Sequence, residues 1–183
     1  MRTIVVVDYD PAWPEHFEKL RSRLWPVVRD IAVSIEHVGS TAVPGLAAKP
    51  IIDMSVVVPS QQEVLLSIER LATLGYQHRG NLGIEGREAF MPPTGWPAHH
   101  LYVCTQDSLG LRNHLSVRDY LRTHPETARA YGELKKRLAA AFPNDINSYV
   151  DGKTDMLMNI LREQPLATHQ LDAIERANRK PQP

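Results

Sequence analysis

The chain has 183 residues, 43% of them apolar and 23% charged, which suits one soluble domain with a proper core. Lysine plus arginine and aspartate plus glutamate both number 21, so no net charge draws it to nucleic acid or an anionic membrane. One cysteine, Cys104, excludes an intrachain disulfide, and no apolar run approaches a membrane span. These features, with no signal-peptide pattern at the start, predict a cytoplasmic protein.

Residues 3–7 are β-branched and predict a short strand. Pro11 and Pro14 then mark a turn and a helix start. Trp13, Phe17, Leu20, Leu24, Val27 and Ile31 recur at steps of three or four, giving one apolar helical face. Pro26 within this pattern predicts a kink or an end near Trp25. Next comes Ile35-Glu36-His37-Val38-Gly39-Ser40-Thr41, then Lys49-Pro50-Ile51-Ile52-Asp53-Met54-Ser55. This reads as strand, tight turn, short helix and a second, buried strand. Gly39 permits a close turn, while Ser40 and Thr41 offer hydroxyls and N–H groups at a helix start, where a phosphate is favoured. The same residues also suit plain helix capping. Asp53 interrupts an apolar run and needs a partner or water.

Ser60 and Glu63 resemble a capping box opening a helix that Gly75 ends. Residues 76–79 predict a strand, and 80–86 a glycine-rich loop without the Gly-Lys-Ser/Thr of a P-loop. Strands at 87–91 and 99–105 predict an antiparallel pair and hence a mixed sheet with flanking helices. The last third is helical: about 108–122, a helix opened by a capping box at Thr123–Glu126 with Phe142 on its apolar face, and one from Ile146 to Leu161. Residues 165–183 predict a polar tail with a weak Leu171-Ile174-Ala177 pattern and a frayed end. The boundaries are thus one domain over 1–164 and the tail.

His99 and His100 are strand neighbours and point to opposite faces. His100 is the candidate for a pocket, as a metal or catalytic ligand or as a hydrogen-bonded structural histidine. Asp53, His100, His37 and Glu36 form the one acid/base-capable set the sequence suggests. Lys49, Arg87, Arg118 and Lys153 are the candidates for anion binding, although Lys135 and Lys153 lie on helices, where a solvated face is the ordinary reading.

The run EHVGSTAVPGLAAKPIIDMSVVV resembles the signature of the GrpB-like family, assigned to the nucleotidyltransferase superfamily with a polymerase β-like palm. Further similarity lies in YDPAWPEHFEKL, HHLYV, VRDYLRTHPETARAYGELKKRLA and DGKTDMLMNIL. The resemblance implies an α/β (α+β) fold. It implies binding of a nucleotide or phosphorylated metabolite by Gly39, Ser40 and Thr41. It also implies Mg2+ held by Asp53 with His100, and nucleotidyl transfer. Ser55 stands where an active member carries its second carboxylate. That departure favours the alternative, a non-catalytic accessory module with a protein partner, as in fusions of such domains to dephospho-coenzyme A kinase.

Overall fold

The computed structural model describes residues 3–179. In chain order its elements are α1 (Trp13–Val28), β1 (Ser34–Val38), a single 3-10 turn (Ser40–Ala42), β2 (Ile52–Val58) and α2 (Gln61–Thr73). Then follow β3 (Gln77–His78), β4 (Arg87–Met91), β5 (His99–Thr105), α3 (Leu109–Thr123), α4 (Pro125–Ala141), α5 (Ile146–Arg162) and α6 (Thr168–Asn178). The strands form one mixed sheet in the order β1-β2-β5-β4-β3, with only β2 and β5 parallel.

Strand alternation assigns each side chain to a face. Ile35, Met54, Val56, Val58, Leu101, Val103 and Phe90 point to one side and meet Trp13, Phe17, Leu20, Leu24 and Val28 of α1 and Val64 and Leu71 of α2. This is the main core. Full burial of each such side chain contributes roughly 1.5–3 kcal/mol. The other face carries Asp53, Ser55, His100, Tyr102 and Cys104, because Asp53 pairs with His100 and Ser55 with Tyr102. Here α3 covers the far end through Leu111 and Leu115 against Val57 and Cys104. Val43 and Leu46, just after the 3-10 turn, insert among Leu121, Ala128, Tyr131 and Ile160 of α3, α4 and α5. That insertion fixes the helical third over the Asp53 face.

Several expectations change. Residues 3–7 form no strand: Ile4 bonds Pro143 while Val7 bonds Ala48, so the backbone divides between two partners and no ladder forms. Pro26 does not end α1 at Trp25, and the helix runs on to Val28. The proline lies in the last turn, where Arg29 N–H still reaches the Trp25 carbonyl and Val28 is fully buried. Thr123 does not cap α4. It is still the last residue of α3, its hydroxyl donating to the Asp119 carbonyl, which leaves no extended residue to serve as a cap. His124 takes that position without a side-chain cap bond and stacks on Tyr120 instead. The α4 apolar face stops short of Phe142, which is exposed.

The weak pattern after Pro165 is a helix, α6, whose buried Ile174 joins Met158 and Leu161 of α5. The expected frayed end lies outside the described residues beyond Arg179. Ser60 does cap α2, accepting from Gln62 N–H, and its hydroxyl donates to the Glu63 carboxylate at 2.6 Å. Among the described residues, no helix is long and apolar enough to cross a membrane.

Candidate functional site

Between the polar sheet face and the helical third lies a cavity of about 290 Å³. One wall is the turn Gly39-Ser40-Thr41 with Asp53 and His100; the other brings in Lys49, Lys135, Lys153, His114, Tyr131 and Tyr149. Gly39 is required by two constraints. Its φ is 70°, and a Cβ there would strike the Asp53 carboxylate, coming within 2.9 Å of Cγ. The turn therefore presses its backbone against Asp53, the one carboxylate among the described residues of the cavity. The turn is a three-residue 3-10 helix, too short for a macrodipole, so the expected helix-start phosphate cradle is reduced to local N–H and hydroxyl groups.

Cationic side chains supply what the turn lacks. Lys135 is 2% exposed, and its Nζ donates to Ser40 Oγ at 2.7 Å and lies 4.6 Å from the Tyr131 ring centre. Lys49 and Lys153 both approach the Tyr149 ring, at 5.7 and 5.3 Å. None of the three makes an ion pair within 4 Å among the described residues. Burial, reinforced by Lys153 and Lys49, lowers the Lys135 ammonium to about 6. Burial and Lys49 lower Lys153 to about 8. An anion entering the cavity would restore the protons that burial removes.

Opposite them, His100 Nδ1 donates to Asp53 Oδ1 at 2.8 Å. Burial pushes the Asp53 carboxyl up, but the His100 hydrogen bond and nearby positive charge outweigh it and hold the group below its usual value. A carboxylate only accepts, so the proton sits on Nδ1 and His100 Nε2 is left able to take one. Ser55 is wholly buried, with its Oγ 3.4 Å from His114 Nδ1. Burial, with Arg87 nearby, lowers His114 to about 4 and keeps it neutral.

The expected site residues divide accordingly. Gly39, Ser40, Thr41, Lys49, Asp53, His100, Arg118 and Lys153 all line the cavity. His37 does not: alternation turns it to the α1 face, where it stacks on Phe17 at 4.7 Å and its Nε2 lies 3.0 Å from Thr41 Oγ1. It supports the turn from behind. Arg118 is tied to Glu36, Asp119 and the His37 carbonyl, so it anchors α3 to β1 at the rim. Arg87 lies away from this cavity, under the Tyr102 ring at 4.5 Å, with its buried Nε unpaired.

His114, Tyr131 and Tyr149 escaped the sequence reading as site residues, and Lys135 was expected on a solvated helix face. Lys135 had a signal: it is four residues after Tyr131 and four before Ala139, on the buried stripe of α4.

The donor set does not fit a pair of magnesium ions. Such a pair needs several oxygen ligands, chiefly carboxylates. Asp53 is shared with an imidazole, Ser55 faces His114, and three lysines occupy the same space. Among the described residues, no three His, Cys, Asp or Glu side chains cluster as a metal site.

Comparison with known proteins places this cleft in context. Residues 3–163 match a family model described as GrpB protein. The UPF0157 protein YqkA of Bacillus subtilis is 38% identical over 156 residues, covering 85% of this chain but 46% of that protein. The chain thus spans about half the length of that relative. The crystal structure of the conserved protein GrpB from Enterococcus faecalis superposes with TM-score 0.78 at 34% identity, covering 93% of this chain and 99% of that one. A structure of the Cid1 poly(U) polymerase superposes with TM-score 0.52 at 13% identity, over 81% of this chain and 50% of that one, a likeness of fold.

Proposed function

The chain belongs to the GrpB family, and we propose that its cleft binds a phosphorylated small molecule, nucleotides included, through lysines in place of a metal pair. The observation that carries this reading is the set of three lysines, Lys49, Lys135 and Lys153, lining one cavity without an acidic partner within 4 Å. A buried lysine without an acidic partner is costly, and a site that keeps Lys135 so, with half-buried Lys49 and Lys153 beside it, offers that cost back to an anion. Ser40 and Thr41 add hydroxyls to the same wall. The nucleotidyltransferase-like fold agrees with a phosphate ligand.

Of the two roles the resemblance implies, phosphate binding is the one the side chains support. Metal-assisted nucleotidyl transfer would require ligands that Ser55 and the lysines do not provide. Asp53 and His100 still give the cleft a group able to accept a proton from a bound hydroxyl or water.

Calorimetric titration with pyrophosphate and ATP, each in Mg2+ and in EDTA, tests this. The expected result is binding that persists in EDTA and weakens at least ~10-fold in Lys135→Met, the loss of one charge-assisted hydrogen bond. Binding seen only with Mg2+ and abolished by Asp53→Asn would replace this reading with the metal-dependent one.

A further inference from the structure

A second cavity, of about 580 Å³, opens beside the first. Its walls are the glycine loop 83–86, the start of α3 and the last turns of α6. The loop can lie this close because Gly86 has no side chain: a Cβ there would sit 2.7 Å from Ser108 Cβ. Asn113 of α3 and Asn178 of α6 line both cavities, so the two compartments share one partition made of carboxamides.

The compartments differ in chemistry. The first holds the lysines and, at about 290 Å³, stands at the lower limit for a small-molecule site. Among the described residues that line the second, there is no lysine and no aromatic ring, and Arg176 is the one cation, against the carboxylates of Glu85 and Asp107. Ile84, Leu109 and Ile174 supply apolar wall. A base has no platform to stack on there, and a phosphate meets net negative charge.

Resting on the phosphate reading above, we infer that the two cavities form one bipartite site for a phosphate ester of an aliphatic alcohol. The phosphate lies on the lysines. The chain passes Asn113 and Asn178, and an amine or hydroxyl at its far end meets Glu85 and Asp107. The arm compartment makes α6, which follows the residues matched by the family model, the element that sets ligand length.

The probes are inorganic phosphate, hexyl phosphate, aminohexyl phosphate and AMP, titrated into the full chain. Aminohexyl phosphate is expected to bind at least ~10-fold tighter than inorganic phosphate, and tighter than AMP, the gain of one filled subsite with a charge-assisted contact. Ala177→Phe, which fills the second cavity, should remove that gain and leave inorganic phosphate unaffected. Glu85→Gln with Asp107→Asn, both at exposed positions, should erase the preference for aminohexyl over hexyl phosphate without a change in fold. Equal affinity for inorganic and aminohexyl phosphate overturns the bipartite site while leaving the lysine cleft standing. So does AMP binding tightest of the four. Failure of inorganic phosphate to bind, with Lys135→Met indistinguishable from the unmodified chain, removes both readings together.

Discussion

Replacing Lys135 by methionine should make this protein more stable and less able to bind phosphate. Burial holds the Lys135 ammonium at about 6 against an ordinary 10.5. At about pH 7.5 the folded chain therefore carries a lysine stripped of its proton, which costs roughly 4 kcal/mol at 1.36 kcal/mol per pH unit. Methionine keeps most of the apolar stem packed beside Tyr131 without that cost. It loses the hydrogen bond to Ser40, about 1 kcal/mol.

The net gain is up to roughly 3 kcal/mol. For a chain of this length that raises Tm by about 6–12 °C. The sign with pH follows from proton counts. The unfolded lysine holds its proton up to about 10.5, the folded one only below about 6. Unfolding takes up a proton in that window, so wild-type stability rises with pH across it. Lys135→Met removes this contribution, and its advantage should fade as pH approaches 10.5. Scanning calorimetry at several pH values reads both effects. A variant less stable at about pH 7.5, or an advantage independent of pH, would refute the argument. Stability given up at a position that binds ligand is the usual mark of function.

Phosphate affinity should fall at least ~10-fold between roughly pH 7 and 9, as Lys153 loses its proton near 8 and Lys135, already deprotonated there, must take one up to bind, which titration in EDTA would follow. Gly39→Ala places a methyl group against Asp53 at a φ of 70° and should cost about 2–4 kcal/mol in urea denaturation. An unchanged midpoint would mean that the turn and β2 are not in contact. Ser55→Asp puts a carboxylate beside the His114 imidazole. The histidine should then titrate at least ~1 pH unit above its present value of about 4 in an NMR titration. No movement would place His114 elsewhere.

The sequence by itself determined which segments are strands and helices wherever one period ran unbroken. The α1 stripe from Trp13 to Leu24 and the antiparallel pair β4–β5 were legible because apolar spacing at 3.6 or 2 residues reflects one buried face, although the last buried position is Val28 and not the expected Val27. It also determined the opposite orientations of His99 and His100. His99 is buried against Tyr76, its Nε2 2.6 Å from the hydroxyl, while His100 meets Asp53. Local signals failed where a residue's role is set by what lies across the chain. His37 and Asp53 both look like site residues, yet pairing of Val38 with Asp53 sends His37 to the α1 side. Lys135 reads as one more helical lysine until the 43–46 segment docks among α3, α4 and α5 and the turn before it brings Ser40 to its ammonium. α6 was hidden because one buried residue, Ile174, carries its packing. Alternation and periodicity are properties of neighbours in sequence. Three lysines meeting around one cavity, from a loop and two helices 86 and 104 residues further on than Lys49, are a property of tertiary packing alone.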